Sequence, residues 1–161
     1  MLKRFIERTR DEEGFTLIEL MVVVLIIGIL IAIALPTFLG ARARAQDRAA
    51  QSDLRNALVA AKTMYTDNST YATATYTGLT SVEPSLKYAV PGTALVAPIS
   101  DVSVSAAANI WAAARLSASG TCFGITDIAT GGTAGTYRNT LTAATCDGTG
   151  AAAKVASDGT W

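Results

Sequence analysis

An uninterrupted apolar run near the start of the chain limits its fold more than any other feature. Residues 15–40 read FTLIELMVVVLIIGILIAIALPTFLG and contain a single charged side chain, Glu19. As an α-helix that rises 1.5 Å per residue, Phe15 to Leu39 would be about 37 Å long, enough to cross a hydrocarbon core of about 30 Å. The run therefore predicts a membrane-spanning helix.

The composition argues against an enzyme. The chain has no His, which excludes imidazole-dependent catalysis and His-ligated metal sites. Its two cysteines, Cys122 and Cys146, are too few for a four-cysteine metal site. The 13 basic and 13 acidic residues balance to a formal charge of zero, which argues against a nucleic-acid binder that works by bulk charge. We expect no cofactor and no metal.

The composition changes before the apolar run, at Gly14. Residues 1–14 (MLKRFIERTRDEEG) are polar, whereas a secretory signal peptide would have its small-residue cleavage site after the apolar stretch. Cleavage between Gly14 and Phe15 would leave the whole apolar segment on the mature chain. Basic residues flank the run almost equally, so the positive-inside rule barely decides its orientation.

These residues resemble a known family. The sequence GFTLIEL at residues 14–20, followed by MVVVLIIGILIAIALP, is similar to the class III signal and N-terminal helix of type IV pilins and the related secretion pseudopilins. The resemblance covers roughly residues 14–65. It implies cleavage after Gly14 and N-methylation of Phe15 by a prepilin peptidase and methyltransferase, with the leader in the cytoplasm. It also implies extraction of the subunit from the cytoplasmic membrane, by an assembly platform, into a helical filament on the cell surface.

The leader departs from the family in one respect. Asp11, Glu12 and Glu13 precede Gly14, whereas many family leaders are basic up to the glycine.

Glu19 has two interpretations. An acid in a lipid-facing helix costs about 2.5–3.5 kcal/mol unless it gains a partner. Cleavage creates a positive charge at the α-amino group of Phe15, and the resemblance implies that Glu19 pairs with that amine in a neighbouring subunit during assembly. The alternative is that Glu19 lies at the lipid headgroups near the helix start, where the helix dipole favours an acid.

Pro36 lies within the predicted helix. It removes the hydrogen bond to the carbonyl of Ala32 and predicts a kink, with Gly28 a second weak point. The resemblance implies that the stretch between Gly28 and Pro36 can lose helicity in a filament, which would make the filament extensible.

Beyond Gly40 the pattern becomes amphipathic and predicts a helix that ends near residues 65–68. Its apolar stripe should face a globular domain and consists of Leu39, Ala43, Ala50, Leu54, Ala57, Ala61 and Tyr65. A basic ridge lies away from that stripe and consists of Arg44, Arg48, Arg55 and Lys62. The ridge is either a contact with acidic surface on adjacent subunits or an ordinary solvated face, and DNA binding is a third alternative.

The predicted fold is α+β: a long N-terminal helix packed on a small antiparallel sheet of three or four strands. We divide the chain into a cleaved leader at 1–14, a hydrophobic helix at 15–40, its amphipathic second half at 41–65, a connecting loop region at 66–100, and a sheet with a disulfide-bounded region at 101–161. Strands are expected at 102–106, 110–117 and 121–128.

Cys122 and Cys146 are expected to form a disulfide, which is permitted outside the cytoplasm. Closing this loop would stabilise the domain by about 3–4 kcal/mol. Two free, buried thiols are the alternative. The resemblance suggests that the region bounded by the cysteines is a surface and contact element.

The expected function is structural: a major pilin that assembles into a type IV pilus. A pseudopilin of a type II secretion or DNA-uptake system is the nearest alternative. A single-span, membrane-anchored extracytoplasmic binding domain is a third hypothesis, which retention of residues 1–14 on the mature protein would favour.

Overall fold

The computed structural model describes residues 14–89, 92–93, 95 and 101–154. Apart from Gly14, the predicted leader lies outside the described residues. Helix α1 spans Leu17–Asn68, and its end agrees with the sequence prediction. Ser69, with φ of 54°, follows the last helical residue. The chain divides into two compact units, one that ends at Gly40 and one that begins at Ala41.

The second unit contains a five-stranded mixed sheet with the strand order β1-β2-β3-β4-β5. Strand β1 pairs with β2 in parallel, and the other neighbours are antiparallel. After α1 the elements are α2 (Tyr76–Val82), β1 (Tyr88–Ala89), β2 (Val102–Ala106), β3 (Ile110–Leu116), β4 (Cys122–Ile128), β5 (Gly135–Leu141), a 3₁₀ turn (Ala143–Thr145) and α3 (Gly148–Ala153).

The predicted strands coincide with β2, β3 and β4 to within one residue at each end. The predicted strand count of three or four is too low, and the sheet is not wholly antiparallel. Strand β1 has only two residues, too few to show a pattern. Strand β5 is an edge strand with polar, largely exposed side chains, so it lacks the apolar alternation of a half-buried strand. The predicted loop region 66–100 contains α2 and β1.

One face of the sheet packs on the second half of α1. Val104 lies opposite Ala113, and Ala113 lies opposite Ile125 in the next strand. From α1 this core receives Ala50, Leu54, Ala57, Leu58, Ala60 and Ala61. The predicted stripe is therefore correct from Ala50 onward. Its first member, Leu39, is 54% exposed.

The other face of the sheet is also covered. The side chains of Ala112, Ala114 and Leu116 pack with those of Leu141 and Ala151, around the disulfide. Cys122 and Cys146 are joined, with their Cα atoms 5.8 Å apart. Because both faces are covered, every residue of β4 is buried.

Polar contacts join the helix and the connecting segment to the sheet. The indole Nε1 of Trp111 donates to the carbonyl of Ala74 at 3.1 Å, deep in the core. Asp53 of α1 forms an ion pair with Arg115 of β3. Burial lowers the pKa of Arg115, whose side chain is 14% exposed. These contacts fix the sheet against one side of the helix.

Removal of the disulfide should destabilise the second unit. We expect the double substitution Cys122→Ala and Cys146→Ala to cost about 3–4 kcal/mol, because the unfolded chain regains the entropy of an open loop. In thermal unfolding of the full chain in detergent micelles, the midpoint should fall by on the order of 10 °C. Reductant should lower the wild-type midpoint similarly and leave the variant unchanged. A wild-type midpoint that does not respond to reductant would contradict this prediction.

Candidate functional site

The start of α1 is closed by a reciprocal capping box. The backbone N–H and the hydroxyl of Thr16 donate to Oε2 of Glu19 at 2.9 and 2.6 Å. The backbone N–H of Glu19 donates back to Oγ1 of Thr16 at 3.3 Å. Thr16 precedes the first helical residue, Leu17, and Glu19 is the third, which is the spacing that this motif requires. Glu19 thus has a role within its own chain that the sequence interpretation did not include.

The capping box leaves one carboxylate oxygen of Glu19 available for another hydrogen bond or ion pair. Both bonds from Thr16 end on Oε2, and Oε1 accepts no hydrogen bond from the part of the chain that the structure describes. Phe15 is 86% exposed and lies directly before the capping residue. The start of the helix therefore combines a held carboxylate, an unused oxygen and an exposed aromatic side chain.

The first unit presents an apolar surface that nothing in the described chain covers. Every large apolar side chain from Leu17 to Leu39 is between 48% and 75% exposed. By length and composition, α1 is the one helix among the described residues that could cross a membrane. Water is a poor environment for such a surface, because each of these side chains gains about 1.5–3 kcal/mol when it is fully buried.

Gly28 and Pro36 lie on this apolar surface. A methyl group added at Gly28 would meet no atom within 4 Å, so packing inside the chain does not require a glycine there. Helix α1 continues through Pro36, and the hydroxyl of Thr37 donates to the carbonyl of Ala34 at 2.8 Å. Loss of helicity between Gly28 and Pro36 in a filament stays a prediction.

The basic ridge is exposed at all four positions, but its members differ. Arg44 and Arg48 have no ion pair or hydrogen bond from their side chains within the described residues. Lys62 lies 2.9 Å from Oδ1 of Asp127 in the same chain. Lys62 is therefore engaged within the subunit. Contact between the ridge and adjacent subunits stays a prediction.

Asp127 is the centre of a polar cluster that the sequence interpretation missed. Its Oδ1 accepts a hydrogen bond from the hydroxyl of Thr136 at 2.5 Å, in addition to the ion pair with Lys62. Its Oδ2 accepts from the hydroxyl of Tyr71 at 2.5 Å. An acid within the apolar strand CFGITDI is the available signal, because buried carboxylates need partners.

The environment of Asp127 shifts two pKa values. Burial alone would raise the pKa of Asp127, but hydrogen bonds from Thr136, Tyr71 and Lys62, together with the charge of Lys62, lower it overall. Burial and the neighbouring carboxylate raise the pKa of Tyr71. The cluster therefore holds an ionised Asp127 and a neutral Tyr71 at neutral pH. It joins the end of α1 and the following segment to β4 and β5.

Another carboxylate, that of Asp147, has a local role at the start of α3. Asp147 caps α3 and accepts hydrogen bonds from the N–H of Gly150 and the hydroxyl of Thr149, both at 2.6 Å. Asp158 lies outside the described residues. Across residues 14–89, 92–93, 95 and 101–154, no group of three or more His, Cys, Asp or Glu could hold a metal ion.

Comparison with known proteins identifies relatives of the N-terminal part. The profile of the prokaryotic N-terminal methylation motif matches residues 9–35. The chain is 44% identical over 71 residues to the type IV major pilin protein PilA of Myxococcus xanthus, covering 44% of this chain and 31% of the relative. It is 42% identical over 62 residues to the type IV wide pilus major component PilA4 of Thermus thermophilus, covering 38% and 47%.

A second group of relatives comes from secretion systems. The chain is 44% identical over 68 residues to the type II secretion system core protein G of Vibrio cholerae, covering 42% of this chain and 46% of the relative. The chain spans less than half the length of each of these three relatives. No solved structure matches the chain. The resemblance to type IV pilins and secretion pseudopilins is confirmed for the N-terminal segment.

Substitution of Asp127 should destabilise the second unit in a pH-dependent way. We expect Asp127→Asn to cost about 1–3 kcal/mol at pH 7, because the buried site loses its charge-assisted hydrogen bonds. Folding lowers the pKa of Asp127, so its contribution is present above about pH 4 and is lost as the pH falls through the folded-state pKa. Urea unfolding of the full chain in micelles at several pH values measures the free energy of unfolding of wild type and of Asp127→Asn.

Asp67→Asn is the matched control, because Asp67 is exposed near the end of α1. It should change the free energy of unfolding by no more than about 0.5 kcal/mol. The difference between wild type and Asp127→Asn should narrow in acid. A difference that is the same at every pH would show that Asp127 acts by packing alone.

Proposed function

We propose that this chain, which carries the prokaryotic N-terminal methylation motif, is a structural subunit of a type IV pilus. Its helix would hold it in the cytoplasmic membrane before assembly and would form the core of a helical surface filament afterwards. The observation that carries the proposal is the uncovered apolar surface of α1 from Leu17 to Leu39.

This surface needs a cover that the described residues do not supply. Lipid tails would cover it before assembly, since the apolar run is long enough to span the hydrocarbon core. Equivalent helices from other copies would cover it in a filament, where close packing replaces lipid contacts. A homo-oligomer with the sheet units outside its core satisfies this requirement without any further protein.

The start of α1 supports a specific assembly step. Cleavage between Gly14 and Phe15 by a prepilin peptidase would turn the amide nitrogen of Phe15 into a charged amine. Oε1 of Glu19 lacks a partner among the described residues and is oriented by the capping box. An incoming subunit's amine would find this oxygen already held in place. We infer that the amine pairs with Glu19 of a subunit already in the filament and thereby sets the axial register.

A pseudopilin of a type II secretion or DNA-uptake system is the second candidate. The identity to the core protein G of Vibrio cholerae equals that to the major pilin of Myxococcus xanthus, and favours neither function. Both candidates need the same leader cleavage and helix. They differ in where the mature subunit is found.

The experiment is intact-mass analysis and N-terminal sequencing of filaments sheared from cells that express this chain, without reduction. We expect subunits that begin with N-methylated Phe15 and are two hydrogens lighter than the dithiol form. The same modified subunit found only in the membrane fraction would favour the pseudopilin. Any other N-terminus would contradict the proposal and would favour the membrane-anchored binding domain if residues 1–14 were retained.

Two substitutions at Glu19 separate pairing from capping. Glutamine can replace glutamate in a capping box but carries no charge, whereas alanine removes both functions. If the carboxylate pairs with an amine, both Glu19→Gln and Glu19→Ala should reduce sheared filaments by on the order of tenfold or more. Quantitative immunoblots of the sheared fraction measure this.

Thr16 supplies the control. Thr16→Ala should lose the cap, at about 1 kcal/mol, and keep the charge, while Thr16→Ser should keep both. We expect Thr16→Ala to assemble better than Glu19→Gln. Normal filament yield from Glu19→Gln would restrict Glu19 to capping.

A further inference from the structure

Three arginines lie directly beyond the apolar part of α1. Arg42, Arg44 and Arg48 are exposed, and we call them the juxtamembrane arginines. Their guanidinium groups form no ion pair or hydrogen bond with any residue that the structure describes. They are nearly as many as the basic residues before the apolar run, so they weaken the charge difference on which the positive-inside rule depends. These three exposed arginines are therefore available to a partner outside the described chain.

The acids nearest to these arginines are used elsewhere. Asp47 accepts a hydrogen bond from the hydroxyl of Ser119 in the β3–β4 turn. Asp53 is engaged in the ion pair with Arg115. These are the acidic residues of segment 41–65, and both are bound to the sheet unit. Segment 41–65 carries five basic residues against these two acids, so its net charge remains positive.

Arg42 and Arg44 begin at distances along α1 close to the thickness of a lipid headgroup layer, whereas Arg48 begins beyond that layer and reaches it only with its long side chain. At 1.5 Å per residue, Arg42, Arg44 and Arg48 begin about 4.5, 7.5 and 13.5 Å beyond Leu39. The headgroup layer on each side of a bilayer is about 5–7 Å thick. Side chains of a helix tilt toward its N-terminus, so all three arginines lean back toward the apolar segment. Long basic side chains readily extend along such a boundary.

We propose that the juxtamembrane arginines bind the phosphates of anionic phospholipid headgroups while the subunit is in the membrane. This inference rests on the proposed function, in which lipid surrounds residues 17–39 before assembly. Guanidinium groups bind phosphate in a bidentate manner, and basic residues at an anionic membrane surface each add appreciable affinity. The arginines thus hold the end of the apolar segment at the membrane surface, and extraction must break these contacts.

The test measures lipid retention by the unassembled full chain. The chain is reconstituted in nanodiscs with equal amounts of phosphatidylcholine and phosphatidylglycerol, moved into mild detergent, and its bound lipids are counted by native mass spectrometry. Wild type is compared with the triple variant R42Q/R44Q/R48Q. The control R55Q/K87Q/R138Q removes the same charge at other positions. Basic residues of the leader are present in every sample, so the result is the ratio between variants.

We expect the triple variant to retain at least about tenfold less phosphatidylglycerol relative to phosphatidylcholine than wild type. The control should stay within about twofold of wild type, since Arg55 lies about two helical turns beyond Arg48 along α1 and Lys87 and Arg138 lie outside that helix. Equal loss in both variants, or no loss in the triple variant, would overturn the proposal. Inorganic phosphate at the same concentration as the lipid phosphate should not displace the lipid, and displacement would mean that the site binds free phosphate.

The outcomes separate this inference from the proposed function. If the triple variant keeps normal lipid retention but yields no sheared filaments, the arginines contact acidic surface on adjacent subunits and the lipid proposal is wrong. If wild type shows the lipid preference but no filament contains it, the lipid proposal holds and the pilus assignment fails.

Discussion

The apolar surface between Leu17 and Leu39 is the constraint on which everything else depends. Its side chains are each at least 48% exposed, and burying them is worth on the order of tens of kcal/mol in total. That total exceeds the 5–15 kcal/mol net stability of an ordinary domain. This surface therefore requires contact with a second apolar phase, which in the proposed function is first lipid and then other copies of the chain. Its function follows from the exchange of one cover for the other.

The second unit has a small hydrophobic core and needs further interactions to be stable. Its helix contributes mainly alanines to the core, so the sheet can approach closely but gains little apolar area per residue. Specific links compensate for the small side chains. The disulfide, the ion pair between Asp53 and Arg115, and the cluster around Asp127 each join segments that are far apart in sequence. The unit is held by a few cross-links around a small core.

The sequence predicts those parts of the structure that depend on local pattern. Helix α1, the buried stripe from Ala50 and strands β2 to β4 all show periodicity within a short window, and each lies where expected. Strand β5 and the two-residue strand β1 show no such periodicity and are not predicted. Strand β5 forms because β4 offers it an edge, and its polar side chains can face solvent. Pairing of that kind is set by tertiary contacts, which local periodicity does not encode.

The contacts of the candidate site also separate into those that local sequence predicts and those that depend on tertiary packing. The spacing of Thr16 and Glu19 could have revealed the capping box, since the motif is local. The contact between Asp127 and Tyr71 spans 56 residues, and only the acid in an apolar strand hinted at it. Lys62 is an exposed member of the basic ridge, but a helical wheel shows which face a residue occupies and not which residues of other elements contact it. Its engagement by Asp127 depends on where β4 packs.

The two ends of the apolar segment have complementary polar chemistry. At the start, the capping box satisfies Thr16 and holds one oxygen of Glu19, which leaves the other for a cation. At the far end, the acids Asp47 and Asp53 are bound by the sheet unit, which leaves cations for an anion. In the proposed function, a membrane would offer headgroup phosphates to the second end, and cleavage between Gly14 and Phe15 would supply the amine for the first. We infer that the membrane-bound state satisfies only one end, and that joining a filament gains the pairing at Glu19 in exchange for contacts between arginine and lipid.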